Sequence, residues 1–70
     1  MTKKFIITNR TDKPMQAVIT DNDTGNNVLQ RELHPGCNEL FVNDLHQGIY
    51  IIHLEDANHE IIYQQKIFKD

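Results

Sequence analysis

Four histidines, His34, His46, His53 and His59, and a single cysteine, Cys37, are the side chains of this 70-residue sequence best suited to hold a metal or attack an electrophile. Structural zinc asks for four nitrogen or sulfur ligands, commonly in two closely spaced pairs. His34-Pro35-Gly36-Cys37 has a ligand-like gap, but no second pair follows it at a suitable distance. His34, His46 and His59 lie among turn-forming residues, where a solvated imidazole is the plainer expectation, and His53 sits in a strand-like run beside Ile51. Serine is absent and Cys37 has no evident partner base, so nucleophilic catalysis is unsupported. Being single, Cys37 forms no internal disulfide, and it is expected to be a small half-buried strand residue.

The segment Asp21-Asn22-Asp23-Thr24-Gly25-Asn26 offers hard oxygen ligands of the kind calcium prefers. An EF-hand loop needs Gly at its sixth position and Glu at its twelfth. Counted from Asp21, Gly25 falls at the fifth and Glu32 at the twelfth. Asp, Asn and Gly also tolerate left-handed backbone angles, so a hairpin turn explains the same residues without a cation. Asn9-Arg10-Thr11 and Asn22-Asp23-Thr24 fit the N-glycosylation triplet, a pattern that short polar loops produce often. No catalytic residue, metal ligand or cofactor-binding residue is assigned, and an enzyme is not expected.

Turn signals recur along the chain at 11–14, 21–26, 34–36, 44–48 and 56–59. Between them lie short runs rich in Ile, Val, Phe and Tyr. Strands at such spacing indicate an all-β sandwich or barrel. Six are expected: Lys3–Thr8, Met15–Thr20, Asn27–Leu33, Asn38–Asn43, Ile49–Glu55 and Glu60–Phe68. No segment keeps the apolar period of a helix. In the fifth strand Tyr50, Ile52 and Leu54 share one face, opposite Ile49, Ile51 and His53. In the sixth, Ile61, Tyr63 and Ile67 oppose Ile62, Gln64 and Phe68. Because both faces are apolar, these two strands are expected to be central, or to turn one face to a partner. The third, with Gln30, Arg31 and Glu32, reads as a solvated strand nearer an edge.

Bulk properties narrow the function classes. The whole chain, 1–70, makes one small domain, and at this length only about 60% of the unfolded chain's surface is buried on folding. That leaves little volume for a deep catalytic cleft. The net charge is −3, with seven scattered Lys and Arg, so the clustered cations of a nucleic-acid binder are missing. No apolar run approaches the ~18 residues that suggest a membrane-spanning helix, and no secretory leader is visible at Met1.

Gly48 and Tyr50 have a structural explanation. Glycine lets a chain leave a turn through angles that other residues avoid. Tyrosine two residues on can bury its ring and direct its hydroxyl back to that turn.

In order along the chain, TDKPMQAVITDNDTGNNVLQREL (11–33), NELFVNDLHQGIYIIHLED (38–56), ANHEIIYQQ (57–65) and KIFKD (66–70) resemble the C-terminal sorting domain of the type IX secretion system of Bacteroidetes. The first resembles that family's hairpin, whose Asp-x-x-Gly turn has Asn22-Asp23-Thr24-Gly25 in its place here. The second matches its central motif, an Asp-Leu turn followed by Gly-x-Tyr, and the last matches its basic tail. Asn9-Arg10-Thr11 stands where family members usually carry Pro-Asn-Pro.

The resemblance implies a small immunoglobulin-like antiparallel β-sandwich of about six to seven strands. It also implies a non-catalytic sorting signal, recognised by the outer-membrane secretion machinery and removed by a surface peptidase. Lys66, Ile67, Phe68, Lys69 and Asp70 would then be the recognition residues, in a charged, mobile end, with Gly48 and Tyr50 holding the fold that presents them. As part of an exported protein, such a domain would reach the cell surface by way of the periplasm.

The other expectation is a free-standing interaction module for a protein or glycan, cytoplasmic if these 70 residues are a whole gene product. Unpaired strand edges add the expectation of a weak homodimer.

Overall fold

The computed structural model describes residues 4–70, and Lys3, expected to open the first strand, lies outside them. Six strands and no helix occur among the described residues: β1 (Lys4–Asn9), β2 (Met15–Asp21), β3 (Asn27–Leu33), β4 (Gly36–Phe41), β5 (Gly48–Glu55) and β6 (Ile61–Lys69). All pairings are antiparallel. β1 pairs with β4 in one sheet, and the other sheet runs β3-β2-β5-β6.

Alternation explains the packing. Met15, Ala17 and Ile19 of β2 and Tyr50 and Ile52 of β5 form a buried cluster with Leu33, Leu40 and Val42. Phe5 and Ile7 of β1 close over it from the second sheet. The fold is therefore a small β-sandwich. Val18 is also buried, but it alternates away from that cluster, between Gln30 and His53 on the sheet's other face.

Side chains pin the corners where the chain changes sheets. Asn9 is only 2% exposed. Its amide donates to the Lys13 carbonyl at 2.8 Å and the Leu33 carbonyl at 3.1 Å. Its oxygen accepts from the Thr11 backbone N–H at 3.0 Å and the Thr11 hydroxyl at 2.7 Å. Asn9 thus closes the turn from β1 to β2 as an Asx-type cap, and the glycosylation triplet has this structural meaning. Asn38 serves the β3-to-β4 corner. It accepts from the His34 N–H at 3.0 Å and donates to the His34 carbonyl at 2.8 Å.

The Asp21–Asn26 segment is the β2–β3 hairpin turn. Asp21 N–H donates to the Asn26 carbonyl, and Gly25 N–H to the Asp21 carbonyl, both at 2.8 Å. The Asp21 carboxylate accepts the Asp23 N–H at 2.8 Å. Gly25 takes φ 78°, the left-handed angle this turn uses.

Several expectations are corrected. β4 begins at Gly36 and ends at Phe41 rather than spanning Asn38–Asn43. Cys37, expected half-buried, is exposed. β5 is central, but β6 is an edge strand, paired among the described residues with β5 alone. A register shift between Leu54 and Glu55 sets Ile61 opposite Glu55. Ile61 therefore leaves the Tyr63 and Ile67 face, because directly opposed residues share a side of the sheet. β3 is the other edge of this sheet, as its polar sequence indicated.

Candidate functional site: the free edge of the last strand

The turn after β4 places Tyr50. Leu45 N–H donates to the Val42 carbonyl at 3.2 Å, folding the chain back before β5. Tyr50 then buries its ring to 5% exposure in the core. Its hydroxyl donates to the His46 carbonyl at 2.7 Å, tying β5 to the turn it leaves. Gly48 has φ 159°, a positive angle that residues with a side chain rarely adopt, so the backbone there favours glycine as expected. A Cβ at Gly48 would meet the Tyr50 ring at 3.9 Å, an ordinary contact.

The β5–β6 register gathers the expected recognition residues beside that turn. Gly48 pairs with Lys69, Ile49 with Phe68, Tyr50 with Ile67 and Ile51 with Lys66. Lys66 to Lys69 are thus an ordered part of β6 and not the mobile end expected; only Asp70 lies beyond the strand. Ile67 and Lys69 are half-buried, whereas Lys66 and Phe68 are exposed, Phe68 to 69%.

One backbone bond orients the edge. Asn22 N–H donates to the Ile49 carbonyl at 3.1 Å. Ile49 therefore directs its peptide groups to the β2 side, and Tyr50 and Ile52 direct theirs to β6 by alternation. In β6 it follows that Tyr63, Gln65 and Ile67 bond to β5. Gln64, Lys66 and Phe68 turn their N–H and C=O groups outward. This edge can accept a further antiparallel strand.

Beneath the edge, the sandwich is open between β1 and β6. A groove of about 370 Å³ runs past Lys4, Phe5, Leu45, Ile67 and Lys69. A second, of about 380 Å³, runs past Phe5, Ile7, Leu54, Tyr63 and Ile67. Phe5 and Ile67 line both. Tyr63, which lines the second groove, is about half exposed, at 48%.

Elsewhere, His53 and His59 both reach Glu55, at 2.7 Å and 3.4 Å. The His53 hydrogen bond holds the Glu55 carboxyl below the usual carboxylate range; partial burial opposes this and His59 reinforces it. Among the described residues, no group of three or more His, Cys, Asp or Glu side chains could hold a metal ion, and no helix is long and apolar enough to cross a membrane. Sequence reasoning missed Asn9 as a corner-pinning residue and missed the groove. The first had a signal in the Asn-x-Thr spacing; the second arises only when β1 and β6 face each other.

No known family, curated protein or solved structure matches this chain.

Proposed function

We propose that this chain is a non-catalytic sorting domain of the type IX kind, an immunoglobulin-like sandwich whose last strand is the recognised element. The observation that carries the proposal is the placement of Lys66, Ile67, Phe68 and Lys69 on a free edge, opposite Gly48 to Ile51. An edge strand offers main-chain groups for affinity and alternate side chains for specificity, as in recognition by strand addition. In this reading the outer-membrane secretion machinery takes hold of β6 and Asp70. A surface peptidase then releases the domain from its cargo at the cell surface. Gly48 and Tyr50 act indirectly, by holding the β5 end against which β6 lies.

The test is a fusion of this chain behind a signal peptide and a reporter, expressed in a bacterium with a working type IX system. The reporter is expected at the cell surface; retention in the periplasm by a folded fusion overturns the proposal. The β1–β6 groove favours a second reading, an interaction module whose apolar cleft binds a protein or glycan partner. That reading predicts capture of a partner without any export of the reporter.

A further inference from the structure

We infer that two copies of this chain associate through β6, pairing antiparallel about a two-fold axis that passes through Gln65. The inference goes beyond the sorting proposal and stands on the strand edge alone. Among the described residues, two edges of the larger sheet are free, β3 and β6. β3 carries exposed Arg31 and Glu32 in adjacent positions, so its self-pairing in centred registers sets like charges opposite each other or apolar residues opposite polar ones. β6 instead exposes Ile62, Tyr63 and Phe68.

The register follows from symmetry. A two-fold axis normal to the sheet keeps each face on its own side, so one residue must lie opposite its own copy. Centring on Lys66 sets two ammonium groups opposite each other, which is destabilising. Centring on Gln64 leaves Ile62 opposite Lys66 and Tyr63 opposite Gln65. Centring on Gln65 places Ile62 opposite Phe68, Tyr63 opposite Ile67 and Gln64 opposite Lys66, each twice by symmetry. From Ile62 to Phe68 this register joins apolar to apolar on both faces and leaves no Lys facing Lys; only at the strand's ends, where the register shift displaces Ile61, does an apolar residue come opposite Lys69. It also fits the backbone. Gln64 and Lys66, whose peptide groups point outward, become hydrogen-bonded partners, and Gln65 meets its copy at a non-hydrogen-bonded site. Tyr63 and Ile67 of the second copy extend the apolar inner face alongside the groove at Phe5 and Ile7.

A single strand edge buries less than the ~1,200 Å² of a standard stable interface. The dimer is therefore weak, with a dissociation constant in the micromolar-to-millimolar range.

Two measurements on the full chain test this. Sedimentation equilibrium across a hundredfold concentration range up to millimolar is expected to show the average mass rising above that of one chain, and Phe68→Lys is expected to hold it at one chain. A constant single-chain mass for the unaltered protein overturns the inference. In a Cys37→Ala background, Gln65→Cys is expected to form a disulfide-linked dimer about tenfold faster than Gln64→Cys. Non-hydrogen-bonded partners lie ~4.5 Å apart at Cα, within disulfide reach, whereas copies of Gln64 sit ~7–8 Å apart on the diagonal. Equal rates for the two variants overturn the β6 register even if the mass rises.

Discussion

The Tyr50 hydroxyl donates to the carbonyl of His46, four residues before it, at 2.7 Å. Through this bond the strand that carries β6 is fastened to its own preceding turn. Tyr50→Phe keeps the buried ring and removes only the hydroxyl. The expected loss is about 1 kcal/mol of unfolding free energy, the usual net worth of such a bond. Tyr50→Ala also empties the ring's place in the core and is expected to cost about 3–5 kcal/mol, enough to unfold much of the population. Urea denaturation followed by circular dichroism checks both values, and equal effects of the two variants would show that the hydroxyl bond contributes more than its packing.

Asn9 is the second fastening. Its side chain serves two carbonyls and two donors of Thr11 at a site 2% exposed. Asn9→Ala is expected to cost about 3 kcal/mol, since buried groups lose their partners outright. Asn9→Asp preserves the acceptor but turns a carboxylate toward the Lys13 and Leu33 carbonyls. It is expected to be at least as destabilising at neutral pH and to recover part of the loss in acid. Thermal melts at both pH values read this out.

Glu55 gives the fold a defined acid sensitivity. Its carboxyl is lowered from the ordinary value of 4.5, chiefly by the His53 hydrogen bond. A carboxylate whose folded pKa is depressed adds stability that is fully present above the unfolded value. That stability is lost as pH falls through the folded value. Stability of the unaltered chain is thus expected to decline below about pH 4.5 more steeply than that of Glu55→Gln. Denaturant midpoints measured from neutral pH downward compare the two slopes; identical slopes would contradict this assignment.

The strand pattern was largely legible because alternation has a physical cause. Tyr50, Ile52 and Leu54 were placed on one face, and all three turn toward the core or its margin. β3 was legible as an edge from Gln30, Arg31 and Glu32. β6 was not, because apolar residues on both faces normally mark a strand covered on both sides. Here they mark an edge whose covering is incomplete, with Ile61 displaced by a register shift that no periodicity displays. The order of β6 through Lys69 was equally hidden, since KIFKD reads as a charged tail until its pairing with Gly48–Ile51 is seen. Cys37 is a small strand residue as expected, but the outer face of the two-stranded sheet is left uncovered there.

The free edge of β6 as the recognised element is the central claim, and reporter export with edge variants tests it most directly. Lys66→Glu with Lys69→Glu turns the two cations of that edge into anions, and Arg31→Glu replaces the cation of the opposite edge as a control. The unaltered chain and Arg31→Glu are expected to deliver the reporter to the cell surface, while the double variant, shown to be folded, leaves it in the periplasm. Surface delivery by the double variant at the level of the unaltered chain would contradict the account.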